Sequence, residues 1–456
     1  MTGLLAMIGR CPRTAAVLVL AGLFALASPA RAIELQQITS PGGIKAWLVE
    51  DHSIPLISLS FGFRGGSVMD PPGKEGMTSL LAGLLDEGAG DLDSATFQRR
   101  LNELSIDWRF DAGMDEFGGS VRTLTENRDQ AFDLLRLGLT QPRFDADPVE
   151  RIRGQLLSVI AGDISDPGSI ASRAWWRLGY PDHPYSRQTG GTEAGLKAVT
   201  VDDFRAYMKR VFARDNLIIG VVGDVTPADL GMLLDKTFGA LPEKADLPAI
   251  AEAVPVDGGT TVIVDRDIPQ SVVLFGHEGL KRHDPDFFAA YVMNYILGGG
   301  GFSSRLTEEV REKRGLAYSI ATDLVTLDHT GIIMGQVATK NESAGETIDI
   351  LRREWSRLAV DGPTAEEIAD AKSYITGSYA LRFSSSQRIA DILVAVQEQD
   401  FGADYFVKRN SYVDAVTADD VKRVAKRLLD PAKLLVVVVG KPAGVTATAP
   451  APEGLF

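Results

Sequence analysis

The sequence predicts an α+β protein of two homologous domains, each a largely antiparallel sheet with helices packed on one face. Three observations lead there. Two segments set 217 residues apart match without a gap, and the openings of the two halves show the same run of elements. Strands and helices also come in runs rather than in strict alternation, which disfavours a parallel doubly wound sheet.

The matched segments are Thr200 to Gly223 (TVDDFRAYMKRVFARDNLIIGVVG) and Thr417 to Gly440 (TADDVKRVAKRLLDPAKLLVVVVG), with nine identities in 24 positions. Each reads as a threonine N-cap with acids in the first turn, an amphipathic helix, a short turn and a buried β-branched strand closed by glycine. In the first half, Gly43 to Glu50 and Ile57 to Gly65 read as paired strands followed by a glycine-bounded helix from Gly76 to about Glu87. In the second, Thr260 to Asp265 and Val272 to Gly276 are the strands and Asp286 to Leu297 the helix. Further strands (Asp107 to Leu124; Ala317 to Ala338) and long helices (Asn127 to Gly138 and Asp147 to Ala161; Gly345 to Val360 and Thr364 to Arg382) fill each half. The joint lies within Leu241 to Gly259, rich in Pro, Ala and acids. The expected division is a signal peptide over 1–32, a first domain over 33–245, a linker over 246–259, a second domain over 260–443, and a disordered Ala/Pro/Thr-rich tail over 444–456.

The signal expectation rests on Arg10 and Arg13 before the apolar run Ala15 to Ala27, then Ser28-Pro29-Ala30-Arg31-Ala32 as a small-x-small cleavage site. Thirteen apolar residues are short against the ~20 that cross a bilayer. The only cysteine, Cys11, lies inside this segment, so the mature protein is expected to have no thiol and no disulfide. The formal charge of −14 becomes −17 once the three arginines of the signal are removed. This acidic balance argues against nucleic acid and anionic membrane surfaces as partners. The expected location is the periplasm.

Two strings carry a specific resemblance: HPYSRQTGGTEAGLKAVTVDDFRAYMKRVFARDNLIIGVVGDV (His183 to Val225) and GGGGFSSRLTEEVREKRGLAYSI (Gly298 to Ile320). They resemble the pitrilysin/insulinase family of zinc metallopeptidases, in particular its two-domain, mitochondrial-processing-peptidase-like subgroup. The resemblance implies paired α+β halves that close with a second chain around a peptide chamber. Active members bear H-x-x-E-H on the first helix, two histidines ligating zinc from one helical face and the glutamate acting as general base. Here the degenerate zinc-site positions are Ser79 and Gly83 in place of the histidines and Ala82 in place of the base, with Ser158 or Val159 where the third ligand belongs. No metal site is therefore expected in this chain.

A displaced site would have to use some of the five histidines, His52, His183, His277, His283 and His329, and no two of them stand at i and i+4. His277 and His283, in a loop flanked by Glu278 and Asp284, are the best of a poor set, and a solvated loop is the simpler account. Asp86 lies about one helical turn past Ala82 without a histidine beside it.

In the second half, Gly298, Gly299, Gly300 and Gly301 permit a flexible loop; by themselves they fit a plain connector, and the resemblance makes them a substrate loop. Arg311 and Tyr318 stand seven residues apart, with Gly315 breaking helix from strand. Glu308, Glu309, Arg311, Glu312, Lys313 and Arg314 read at first as the solvated face of a charged helix. In the resembled peptidases an arginine and a tyrosine at this spacing face the zinc site and hold a substrate carbonyl or developing oxyanion, which makes Arg311 and Tyr318 the substrate-binding pair.

Together these features point to a non-catalytic, substrate-binding subunit of a heterodimeric periplasmic zinc metallopeptidase. It has no cofactor of its own; zinc and general base come from an H-x-x-E-H partner chain, and the substrate is a peptide. The alternative is a catalytically inert peptide-holding or assembly factor of the cell envelope. A self-sufficient hydrolase ranks below both, for want of a Gly-x-Ser-x-Gly elbow or a Ser-x-x-Lys setting.

Overall fold

The computed structural model describes residues 34–256 and 258–455. The expected signal segment, with its cleavage site and Cys11, lies outside the described residues. The first half forms strands β1 (Leu35–Thr39), β2 (Lys45–Glu50), β3 (Leu56–Arg64), β4 (Asp107–Ala112), β5 (Glu116–Leu124) and β6 (Leu217–Gly223). The second half forms β7 (Thr261–Asp265), β8 (Gln270–Glu278), β9 (Ala317–Leu327), β10 (Thr330–Lys340) and β11 (Leu435–Gly440).

The first sheet runs β1-β2-β6-β3-β5-β4 and the second β7-β11-β8-β10-β9. Apart from the extra edge strand β1, the two orders are the same. In both, one parallel pair (β2 with β6; β7 with β11) joins an otherwise antiparallel set. The α+β class stands, but the opening strands of each half are not paired with each other. The closing strand of the repeat enters between them, as Leu59 opposite Val221 and Phe275 opposite Val436 show. A five-residue connection from Glu50 to Leu56 readily spans two interstrand spacings of about 4.8 Å each.

The repeated ending folds as its sequence indicates. Helices Val201–Val211 and Ala418–Leu428 each begin on a capping box. Thr200 N–H donates to Asp203 Oδ2 at 2.8 Å, and Asp420 N–H donates to Thr417 Oγ1 at 3.1 Å, which satisfies backbone donors left over by the first turn. Their apolar faces enter two separate cores, one built on Phe61, Phe204 and Phe238, the other on Phe275, Val424 and Trp355.

Each sheet has a second covered face, and the cover is exchanged. Helix Pro167–Gly179, from the first half, packs on the second sheet: Trp175 is fully buried with Val437 and Leu274, and its indole N–H donates to the Leu435 carbonyl at 3.2 Å. Helix Ser386–Glu398, from the second half, packs on the first sheet with Ala390 and Leu393 against Trp47 and Val222. Gly276 and Gly62, at equivalent places in β8 and β3, make the room; a Cβ on Gly276 would stand 3.1 Å from Trp175, and one on Gly62 would stand 2.5 Å from Glu398 Oε1. The expectation of helices on one face of each sheet missed this reciprocal cover.

The tail over 444–456, expected to be disordered, is docked through its described residues. Thr448 N–H donates to the Thr261 carbonyl at 2.8 Å, Leu455 is buried beside Ile170, and Arg173 and Arg177 donate to the carbonyls of Leu455 and Gly454. Its Ala/Pro/Thr composition hides this because the contacts come from backbone groups, the Thr448 hydroxyl and scattered apolar residues, Val445, Ala449, Ala451 and Leu455. Among the described residues no helix is long and apolar enough to cross a membrane.

Candidate functional site

Construction of the degenerate zinc region begins with Asp70, whose buried carboxylate accepts from the backbone N–H of Gly76 at 2.8 Å and Thr78 at 3.1 Å and so fixes the start of helix Met77–Ala82. Burial pushes this carboxyl up to about 6. The helix ends at Ala82, shorter than the expected span to Glu87. Residues 83–86 form a turn, Glu87 pairs with Arg151, and Asp86 accepts from Gln98 Nε2 at 3.0 Å.

Of the three motif positions, Ser79 donates its hydroxyl to the Thr189 carbonyl at 2.7 Å, Ala82 lies in the core, and Gly83 faces helix Ala146–Asp163. A Cβ on Gly83 would stand 2.8 Å from Ile152 Cγ2. These three positions thus carry no metal-ligating nitrogen or carboxylate, and Ile152 takes up the space beside Gly83. On the facing helix, Ser158 bonds back to the Gly154 carbonyl at 2.9 Å and Val159 is 58% exposed. These residues do not fit a zinc ion.

The histidines are committed elsewhere. His277 is in β8, not in the loop after it: it is buried, its Nε2 accepts from the Trp355 indole at 2.8 Å, and its Nδ1 meets the Glu278 carbonyl at 2.6 Å. An accepting Nε2 and a donating Nδ1 make a neutral ring with no lone pair left for a metal. His283 Nε2 meets the Gln399 carbonyl at 2.6 Å. His52 Nδ1 meets Asp224 at 2.7 Å, an exposed contact that raises the imidazole's proton affinity. His183 and His329 stand near Tyr185, whose hydroxyl donates to Asp115 at 2.8 Å. Among the described residues no group of three His, Cys, Asp or Glu side chains could hold a metal ion.

The second half presents a different arrangement. The helix expected from Asp286 to Leu297 is α-helical over Phe287–Asn294 and then widens into a π-turn, Tyr295–Gly299. A second π-turn, Glu308–Glu312, carries Arg311. An inserted residue rotates the rest of a helix by about 100°, so such turns re-aim side chains and are common at functional sites. The glycine run begins inside the first turn, which holds Gly298 and Gly299, and is mostly packed. A Cβ on Gly298 would stand 2.5 Å from Thr322 Oγ1 on β9, and only Gly301, with φ of 57°, has open space around it. The expected flexible loop is in fact anchored to the sheet at its start, and its last glycine sets the direction of Phe302.

Arg311 has the longest carboxylate contact of the three cations in its segment. Buried Glu309 takes Lys313 at 2.7 Å and Arg314 at 2.6 Å, so this acid is an anchor and not part of a solvated face. These two cations hold its carboxyl below the usual range. Among the described residues the carboxylate that Arg311 meets is exposed Glu312, Nε to Oε1 at 3.4 Å. Its guanidinium carbon lies 4.4 Å from the ring centre of Phe302 and 4.9 Å from that of Tyr318. Each such contact contributes about 0.5–1 kcal/mol at exposed sites. Tyr318 projects from β9 at a bulge, where Tyr318 and Ser319 together oppose Ala338, and is 83% exposed.

Arg311, Tyr318 and the end of the glycine run are therefore one site. No hydrogen bond, ion pair or ring contact joins it to Ser79, Ala82 or Gly83. Sequence reasoning missed Phe302, although an aromatic residue directly after four glycines was a usable signal.

The segment from residue 198 to 375 matches the family model described as "Peptidase M16 inactive domain". Over that segment the chain is similar to the M16 peptidase family. Among similar proteins, a "non-peptidase homolog YmxG" of Helicobacter pylori is 26% identical over 337 residues, covering 73% of this chain and 77% of that one. An "uncharacterized zinc protease" of Streptomyces coelicolor is 26% identical over 408 residues, 87% of each chain. The crystal structure of a peptidase M16 inactive domain from Pseudomonas fluorescens superposes with a TM-score of 0.83 at 27% identity, covering 91% of this chain and 100% of that chain. A protease from Helicobacter pylori shares the fold, with a TM-score of 0.80 at 18% identity.

Proposed function

We propose that this chain is the non-catalytic, substrate-binding subunit of a two-chain periplasmic metallopeptidase, with zinc and general base held by an H-x-x-E-H partner chain. The observation that carries the proposal is the contrast between its two halves. The zinc positions of the first are filled by Ile152 packing against Gly83, whereas the second presents Arg311 with aromatic rings on it and no strong acceptor bound among the described residues.

The chemistry assigned to this chain is modest. The in-plane N–H groups of Arg311 and the hydroxyl of exposed Tyr318 are donors that can hold a peptide carbonyl and stabilise charge as it develops on that oxygen. Hydrolysis itself belongs to the partner. The names of the relatives, one a non-peptidase homologue and others zinc proteases, fit a pairing of inert and active chains.

The test is reconstitution with an exported H-x-x-E-H paralogue from the same source. The proposal expects peptide hydrolysis from the mixture, none from this chain alone, and lower turnover when Arg311 becomes Ala with assembly intact. Chelator-resistant hydrolysis by the single chain would sink it. Peptide binding by this chain with no paralogue able to yield hydrolysis would favour an inert peptide-holding factor.

A further inference from the structure

Phe302 is 70% exposed, so burial in the core does not account for its place. It follows Gly301, whose left-handed backbone suits glycine, and stands in the short turn Gly301–Ser303. Ser304 then caps the next helical turn by accepting from Thr307 N–H, and Leu306 and Val310 beyond it are fully buried. The stem is thus held on its C-terminal side by a capped helical turn and buried side chains. That ring lies 4.4 Å from the Arg311 guanidinium carbon, and Tyr318 lies 4.9 Å from it. Rings on a guanidinium constrain its plane and leave its edge donors to the surroundings.

We infer that Phe302 is the positioning residue of this site and the apolar half of a peptide subsite. It orients Arg311 so that the in-plane donors meet a peptide carbonyl, and its uncovered surface, with that of Tyr318, takes a large apolar or aromatic side chain of the same peptide. The substrate class is accordingly an extended peptide with such a residue beside the bound carbonyl. The peptide half of the inference rests on the proposed function; the orientation of Arg311 by Phe302 does not.

The experiment uses the full mature chain with arginine side chains labelled with nitrogen-15, the Arg311 Nε–H signal being assigned with Arg311→Ala. The probes are two blocked peptides, acetyl-Ala-Ala-Phe-Ala-Ala-amide and its all-alanine counterpart. Phe302→Leu is expected to shift the Arg311 signal, because the ring current goes, and to weaken the Phe peptide by roughly fivefold with less than twofold effect on the alanine peptide. Phe302→Trp is expected to restore both readouts, which a role in folding alone would not explain. An unmoved Arg311 signal in Phe302→Leu overturns the positioning role. Equal binding of the two peptides, or none of either at millimolar concentration, overturns the subsite. Should both readouts behave as expected while Arg311→Ala leaves turnover of the reconstituted pair unchanged, the peptidase-subunit reading fails while the orientation of Arg311 by Phe302 stands.

Discussion

Ile152 stands where a side chain on residue 83 would have to go: a Cβ built on Gly83 lies 2.8 Å from its Cγ2. Restoring the motif as Ser79→His, Ala82→Glu and Gly83→His is therefore expected to overpack the contact between the two helices, at a cost of about 1–3 kcal/mol, and to leave zinc unbound. Adding Ile152→Ala should recover part of the lost stability. Metal content after dialysis and thermal melting check this. A triple variant that holds stoichiometric zinc at wild-type stability would contradict the closed-site account.

Arg311 has no strong carboxylate partner among the described residues, while Glu309 binds both neighbouring cations. In a reconstituted pair, Arg311→Ala is expected to lower kcat/KM about a hundredfold, in the range typical of removing an oxyanion donor. Lys313→Ala should change it little, since Lys313 serves Glu309. Steady-state kinetics on both variants, with assembly followed by gel filtration, separates the roles; equal losses would refute the assignment.

The exchanged helices tie the two halves into one stability unit. Trp175→Ala removes a fully buried indole from a contact with Leu435 and Gly276 of the other half, and should cost about 3–5 kcal/mol. Amide exchange is expected to accelerate at Leu435–Gly440, although the substitution lies in the first half. Acceleration confined to Pro167–Gly179 would show that the halves open independently.

At the junction, burial and the neighbouring Glu116 push the Glu398 carboxyl up to about 9. Its backbone carbonyl accepts from Arg64 at 2.8 Å. Because the folded value exceeds the unfolded one, near ~4.3, the folded chain binds the extra proton. The stabilisation is complete below the unfolded value and is lost as pH rises through about 9. Tm is expected to fall between roughly pH 5 and pH 9 by on the order of several degrees, and Glu398→Gln should flatten that slope. A slope unchanged by the substitution would rule out Glu398 as its source.

Much of this was legible along the chain. The repeat of Thr200 to Gly223 in Thr417 to Gly440 shows in the capping boxes and closing strands, and the loss of histidine at 79 and 83 is a matter of residue identity. Helix caps, amphipathic periods and missing ligands are local properties, set by residues within a turn or two of one another. The cover of each sheet and the pairing of its strands depend on residues hundreds of positions apart. Trp175 reads as a generic helix residue until Gly276 and Leu435 receive it, and the opening strands look paired until β6 and β11 enter between them. The site divides in the same way. Arg311 and Tyr318 could be picked out by residue type and spacing, but their stack with Phe302 depends on two π-turns and a bulge, whose geometry is settled by packing against β9 and not by local propensity.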